Sequence, residues 1–120
     1  MARDFHKVKA WRYADDLAVA VYAATRAFPR EERYGLTQQL RRAVVSAPSN
    51  IAEGCSRESQ ADYFRFCAIA RGSLSEARYQ LHLARRLGYL SDDAYTALDA
   101  QADVAARALH GLMEAIRRQL

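Results

Sequence analysis

The residues best suited to chemistry lie in two short polar stretches, residues 49–54 and 71–76. The first contains Asn50 and Glu53, and the second contains Glu76. Asn50 and Glu53 fall near the apolar side of a predicted helix, where polar groups need hydrogen-bond partners. One interpretation is an active site built on this amide and these two carboxylates. We favour a structural polar clasp that fixes the register of two helices, formed by Asn50, Glu53, Ser73 and Glu76.

The sequence lacks the common catalytic and metal-binding patterns. It has no glycine-rich phosphate loop and no HExxH motif, and no spacing places a nucleophile beside a base. Inward Glu-x-x-His pairs hold metals in helical bundles, but here Tyr79 follows Glu76 and Ser56 follows Glu53 at that offset. The three histidines are scattered, and the two cysteines stand twelve residues apart. We therefore predict no catalytic residue, no metal site and no cofactor.

The positive charge is more informative than the carboxylates. The chain carries 18 basic and 14 acidic residues, a net charge of +4, and almost all the basic residues are arginine. Arginine forms planar forks that match phosphate oxygens, and rows of such residues bind nucleic acid by releasing counterions. Three arginines recur every seven residues on one predicted helix face. The candidate nucleic-acid-binding residues are Lys7, Lys9, Arg41, Arg42, Arg71, Arg78 and Arg85.

The same arginine row has a second interpretation. Residues that flank a helical seam often pair with carboxylates on a neighbouring subunit, and Asp99, Asp103 and Glu114 could do so here. Under the nucleic-acid interpretation, by contrast, tyrosines beside the row, such as Tyr79 and Tyr89, could stack on unpaired bases. The spacing alone leaves both readings open.

Four amphipathic helices must position these residues. Apolar residues recur at alternating steps of three and four, which keeps one seam facing its neighbours. Proline 29 ends the first helix, and Thr37 is a candidate cap for the second. Ser59 and Ser91 are candidate caps for the third and fourth. Because the connections are short, neighbouring helices must run antiparallel. The sequence predicts an all-α fold, an antiparallel up-down four-helix bundle.

Pro48 falls inside the second helix, where proline costs roughly 3 kcal/mol. Ile51 keeps the apolar face in phase beyond it, so we predict a kink and continuation instead of a break. We expect Gly54 to end this helix. Gly72 on the third helix would allow another backbone to approach closely.

The length of 120 residues indicates one domain over residues 1–120, with residues 1–9 as a short arm or frayed helix start. No apolar run approaches the roughly 20 residues that a membrane span requires, and no signal peptide is recognisable. We expect a cytoplasmic protein without membrane contact. The many aromatic residues exceed what one narrow seam can bury, which predicts self-association.

A series of motifs occurs along the chain in the order found in a known protein family. The motifs are Trp11 and residues 34–37, 41–43, 48–54 and 72–76. The chain is similar over roughly residues 4–118 to the four-helix bundle proteins encoded in intervening sequences of bacterial 23S ribosomal RNA genes. The resemblance implies a homopentameric ring without established catalytic residues. The accessory protein of diversity-generating retroelements looks like a relative, and that relative holds a reverse transcriptase and nucleic acid on a basic surface. The resemblance therefore makes a protein such as a reverse transcriptase a candidate partner. Cys55 departs from the aromatic residue common at that position.

Two hypotheses of different kinds follow. The first is a non-enzymatic homo-oligomeric scaffold that binds RNA or DNA through its basic surface. The second is a protein–protein interaction module that binds no nucleic acid. An enzyme built on Asn50, Glu53 and Glu76 is the weakest alternative.

Overall fold

The computed structural model describes residues 3–120, which form four long helices. They are α1 (Lys9–Thr25), α2 (Leu36–Cys55), α3 (Gln60–Arg86) and α4 (Asp92–Arg117). α1 and α3 each pack against both α2 and α4, in a body measuring 45 × 24 × 19 Å. Residues 3–120 contain no strand. The predicted antiparallel up-down four-helix bundle is confirmed.

The bundle has two distinct ends. The loop pole contains the α1–α2 connection (residues 26–35) and the α3–α4 connection (residues 87–91). The terminal pole contains the α2–α3 connection (residues 56–59) and both described ends of the chain. Gln60 hydrogen-bonds to Arg3 at one of these ends and to Gln119 at the other.

One hydrophobic core runs the length of the bundle. The apolar spacing on α4 predicts a buried stripe, and its members Leu98, Ala102, Ala105, Leu109 and Ile116 are buried. Leu112, also predicted, is only half-buried, and Met113 is buried in its place. A straight helix has 3.6 residues per turn, so a strict 3.5-residue pattern drifts off the buried face. The largest fully buried side chains are Leu17, Val21, Leu40, Val44, Ile51, Cys55, Cys67, Leu74, Leu81, Leu109 and Met113.

Side-chain caps define the starts of α3 and α4. Ser59 Oγ accepts a hydrogen bond of 3.0 Å from the backbone N–H of Asp62, and Ser91 Oγ accepts one of 3.1 Å from that of Ala94. Both predicted caps are confirmed. The predicted Thr37 cap is wrong, because the N-cap position is Gly35, two residues earlier, and Glu32 supplies the acceptor for the first turn of α2.

α2 continues without interruption through Pro48, which is buried. The break considered as an alternative does not occur, whereas a kink at Pro48 stays a prediction. Ser46 lies at this level, and its carbonyl accepts a hydrogen bond of 2.8 Å from Asn50 Nδ2. The asparagine amide is therefore held along its own helix at the proline turn.

Two glycines have roles other than those predicted. Gly54 does not end α2, which continues to Cys55. A Cβ at Gly54 would lie 3.0 Å from Phe66 Cβ and 3.0 Å from Tyr63 Cδ1, so this glycine permits α2 and α3 to approach each other. Gly72 is exposed, and a Cβ there would meet nothing within 4 Å, so it does not bring a second backbone close within the chain.

The described part of the predicted N-terminal arm is packed against the bundle. Residues 5–7 form a 3-10 helix, and the Phe5 ring lies edge-on to Trp11 with 4.8 Å between ring centroids. Arg3 donates a hydrogen bond of 2.8 Å to the carbonyl of Arg57 and lies over the Tyr63 ring. Residues 1 and 2 of the predicted arm lie outside the described residues.

Candidate nucleic-acid interface

The polar contact between α2 and α3 is built around Ser46. Its hydroxyl lies 2.8 Å from that of Ser73 across the helix interface, and it accepts a hydrogen bond of 3.0 Å from Asn50 Nδ2. Ser73 also donates to the carbonyl of Ile69 at 3.2 Å. Asn50 and Ser73 are therefore joined through Ser46, a residue that the sequence reasoning left out of the clasp.

The two carboxylates assigned to the clasp do not take part in it. Glu53 is exposed and forms an ion pair of 2.9 Å with Arg57, which lies just beyond α2 in the α2–α3 connection. It follows the fully buried Ile51 by two residues, about 200° around the helix, which turns it away from the core. Glu76 is also exposed, next to the buried Ala77, and it forms no ion pair within residues 3–120. Asn50, Glu53 and Glu76 therefore do not converge on one cleft.

The arginine row on α3 is largely occupied by contacts within the chain. Arg78 pairs with Asp99 at 3.0 Å and with Asp103 at 3.5 Å, both on α4. The hydrogen bonds that Arg78 donates to the Asp99 carboxylate raise the pKa of Arg78. Arg85 lies over the Tyr95 ring, 4.4 Å from its centroid. The predicted carboxylate partners are thus correct for Arg78, but they belong to the same chain, and Arg71 is the member of the row most open to a phosphate.

Five other arginines surround a groove on the outside of α1 and α2 near the loop pole. The groove has a volume of about 540 Å³, and a second depression of about 320 Å³ adjoins it and shares three lining residues. None of the five arginines pairs with a carboxylate in the part of the chain described. We call this region the arginine groove; its arginines are Arg26, Arg30, Arg33, Arg41 and Arg42, and its other main lining residues are Tyr22, Tyr34, Thr37 and Gln38.

The local charge of this region is strongly positive. Residues 26–42 contain five arginines and two glutamates, a net charge of +3 out of +4 for the whole chain. One of the glutamates, Glu32, is engaged by a backbone amide and a tyrosine hydroxyl. A concave surface of one charge sign concentrates the field and attracts ions of the opposite sign.

Arg41 is held in place before any ligand arrives. Its Nε donates a hydrogen bond of 2.9 Å to Thr25 Oγ1, and its guanidinium lies over the Tyr22 ring, 4.5 Å from the centroid. Thr25 is itself fixed, because its hydroxyl donates to the carbonyl of Val21 at 2.8 Å. A guanidinium has five N–H donors. Arg41 therefore keeps donors for an anion after forming these contacts.

Glu32 fixes the loop that presents the other arginines. Its Oε1 accepts a hydrogen bond of 3.0 Å from the N–H of Leu36, and its Oε2 accepts one of 2.9 Å from the Tyr89 hydroxyl. The bond from Leu36, aided by that from Tyr89, lowers the pKa of Glu32. The Glu32 carboxylate correspondingly raises the pKa of Tyr89. The α1–α2 loop is thus tied both to the start of α2 and to the α3–α4 connection.

Thr37 lies at the base of the groove with an unsatisfied hydroxyl. The residue is 8% exposed and lines both the groove and the adjoining depression. Its Oγ1 has no hydrogen-bond partner within residues 3–120. The oxygen itself is buried, so this hydroxyl presents no donor at the groove surface, and the groove's anion contacts come from its arginines.

The four predicted basic residues outside the α3 row are divided between the two poles. Arg41 and Arg42 belong to the arginine groove. Lys7 and Lys9 are exposed near the start of α1, and Lys9 lies about 20 Å along the helix from Tyr22 at 1.5 Å per residue. These two lysines therefore lie outside the groove, towards the terminal pole.

Sequence reasoning missed three of the five groove arginines. Arg26, Arg30 and Arg33 lie in the α1–α2 connection, whose single 3-10 turn (Arg30–Glu32) is too short to give a helical periodicity. The available signal was their density, since residues 26–33 contain three arginines. The exposed aromatic residue beside them, Tyr34, was part of a recognised motif but received no role.

Other kinds of site have no support in the described residues. No group of three or more His, Cys, Asp or Glu side chains in residues 3–120 is arranged to hold a metal ion. Within that range no helix combines the length and apolar character needed to cross a bilayer.

Comparison with known proteins identifies the fold and the family. The crystal structure of a protein of unknown function from the S23 ribosomal protein family of Bacteroides thetaiotaomicron superimposes with a TM-score of 0.79. It is 21% identical, and the match covers 87% of this chain and 97% of that one, which supports the fold alone. No curated protein matches the chain. Residues 6–111 match the family described as 23S rRNA-intervening sequence protein. The chain therefore belongs to the 23S rRNA-intervening sequence protein family.

Proposed function

We propose that the protein is a non-enzymatic accessory scaffold that binds nucleic acid in the arginine groove. The observation that supports this proposal is the set of five arginines without carboxylate partners around one concave surface. Guanidinium groups bind phosphate oxygens with two parallel hydrogen bonds, and Arg41 is already oriented by Thr25 and Tyr22. Both RNA and DNA carry such phosphates, and RNA is the first ligand to test.

The proposal predicts binding that depends steeply on salt. Each phosphate neutralised on a single strand contributes a slope of about −0.7 to the plot of log affinity against log salt concentration. Fluorescence anisotropy with a labelled RNA at several salt concentrations measures this slope. The triple variant Arg30→Ala, Arg33→Ala, Arg42→Ala should flatten it by about 2 units, since three phosphate contacts are lost.

A matched control removes the same charge elsewhere. Arg65, Arg107 and Arg117 are exposed and pair with carboxylates one turn away on their own helices. The triple alanine variant of these residues also lowers the net charge by three. It should retain most of the affinity and the slope. Equal losses in the two triple variants would argue for diffuse charge attraction and against the groove.

A second candidate function, a homo-oligomeric interaction module, is supported by two separate apolar surface patches. One lies between α1 and α4 and includes Tyr13 and Val104, which are 39% and 44% exposed. The other lies between α1 and α2 and includes Trp11 and Val45. A cyclic ring needs two different patches that meet between neighbouring subunits. The homopentamer implied by the family resemblance is a proposal of this kind.

Light scattering after size-exclusion chromatography tests the ring. Val104→Asp should dissociate the assembly by burying an unpaired charge at the contact. Val19→Asp is the control, because Val19 is 66% exposed and lines neither patch. A wild-type protein that elutes as a monomer at micromolar concentration would refute the ring. It would leave the groove proposal to its own binding test.

A further inference from the structure

We infer that the arginine groove selects unpaired nucleotides, with a base stacked on Tyr34 while the surrounding guanidinium groups bind the flanking phosphates. The inference rests on the proposed nucleic-acid binding and names its ligand class, single-stranded RNA. It follows from three features of the groove: an open aromatic ring, a second planar surface and an exposed amide side chain in the lining.

The first feature is the exposure of Tyr34. This residue is 80% exposed, more than any other large hydrophobic or aromatic residue described in the chain. The Arg33 guanidinium lies over the ring, 5.7 Å from its centroid, and the high exposure shows that the ring stays accessible beside it. An accessible aromatic ring is a suitable platform for stacking a nucleobase, and any of the four bases can stack on it.

The second feature is the stack of Arg41 on Tyr22. Tyr22 is 40% exposed, and the Arg41 guanidinium covers it at 4.5 Å. Bases stack on guanidinium planes as well as on aromatic rings. The outer face of Arg41 therefore offers a second planar surface in the same groove as Tyr34. Two platforms in one groove suit a strand whose bases are not already stacked in a duplex.

The third feature is the polar lining between these platforms. The exposed Gln38 amide can both donate and accept hydrogen bonds at a base edge. The groove volume of about 540 Å³ falls within the usual range for pockets that hold small organic groups. Paired bases in A-form RNA present phosphates and the minor groove but no free base face.

The experiment compares one RNA sequence as a single strand and as a duplex with its complement, by anisotropy at one fixed salt concentration. Tyr34→Ala should weaken single-strand binding by about 5- to 100-fold, as expected for the loss of one base stack, and should leave duplex binding unchanged. Tyr34→Phe should retain the affinity, since the ring remains. The matched control is Tyr79→Ala, because Tyr79 is 61% exposed on α3 and lies outside the groove.

The outcomes separate this inference from the proposed function. If RNA binds in a salt-dependent way through the groove arginines and Tyr34→Ala changes neither affinity, the inference is wrong and the proposed function stands. Equal weakening of single-strand and duplex binding also overturns the inference. A change in oligomeric state in Tyr34→Ala would make Tyr34 a subunit contact and would likewise overturn it. If no RNA or DNA binds to the wild-type protein, both fail.

Discussion

The Tyr89 hydroxyl donates a hydrogen bond of 2.9 Å to the Glu32 carboxylate, which joins the two connections at the loop pole. The other oxygen of Glu32 accepts from Leu36 N–H at the start of α2. The Glu32 carboxylate therefore holds the arginine-bearing α1–α2 loop against both the start of α2 and the α3–α4 connection. It also places a negative charge at a helix N-terminus, where the helix dipole favours it.

This contact predicts a specific pH dependence of stability. The pKa of Glu32 is lowered in the folded protein, chiefly by the hydrogen bond from Leu36. The contact therefore stabilises the fold fully above the unfolded-state pKa of about 4.3, and this contribution is lost as the pH falls through the lower folded-state pKa. When thermal unfolding is measured from pH 7 to pH 3, the Tm of Glu32→Gln should fall less than the Tm of the wild-type protein.

Tyr89→Phe separates the two bonds of Glu32. It removes the tyrosine hydroxyl but keeps the larger influence on the carboxylate, the Leu36 N–H. This variant should therefore keep most of the wild-type drop in Tm at acid pH. Identical pH profiles for Glu32→Gln and the wild type would show that Glu32 contributes nothing to acid unfolding.

Two glycine substitutions should change stability in opposite directions. Gly54→Ala places a Cβ 3.0 Å from side-chain carbons of Phe66 and Tyr63, so α2 and α3 must separate slightly. We expect a loss of about 1–3 kcal/mol in the free energy of unfolding. Gly72→Ala meets open space in mid-helix and should gain about 0.5–1 kcal/mol. Urea denaturation measures both, and a stabilised Gly54→Ala would contradict the close approach of the helices.

Arg78→Ala should affect stability more than nucleic-acid binding. Arg78 bridges α3 to two carboxylates on α4 and is 34% exposed, so its loss should cost about 1 kcal/mol. Arg107→Ala breaks an exposed pair within α4 with one of the same carboxylates, and should cost less than about 0.5 kcal/mol. A large loss of RNA affinity in Arg78→Ala, with unchanged stability, would restore the α3 row as the binding surface.

Both cysteine thiols should be inert in the native protein. Cys55 and Cys67 are buried, and burial raises the pKa of Cys67 to about 12. Since the thiolate is the reactive form, only about one Cys67 thiol in 10,000 is reactive at pH 8 even when reagent reaches it. A chromogenic disulfide reagent should report no thiol in buffer and two in denaturant. Ala97→Cys, at an exposed position on α4, is the positive control and should react at once.

The fold was accessible from the sequence because its signals lie within single helices. The capping serines Ser59 and Ser91 and the spacing on α3 and α4 are read from neighbouring residues along the chain. The role of Gly54 was not accessible in this way, because it depends on the distance between two helices. The same holds for Ser46, whose hydroxyl contacts α3 only after the register of α2 and α3 is set.

The candidate site was only partly predictable for a similar physical reason. Arg41 and Arg42 were identified, but the arginines beside them come from a connection without periodicity. The arginines of the α3 row have the spacing of a binding surface, but Arg78 is paired with Asp99 on the neighbouring helix α4. Spacing along one helix shows which residues share a face, whereas the charges that remain free depend on the neighbouring helices.

The arrangement of the poles has a practical consequence for measurement. Gln60 contacts both Arg3 and Gln119, so both described ends of the chain emerge beside the α2–α3 connection, whereas the arginine groove lies towards the opposite end of a body 45 Å long. A sensor chip that captures the protein by a tag on either end would leave the groove facing the flowing analyte. Attachment through the α1–α2 loop would mask it.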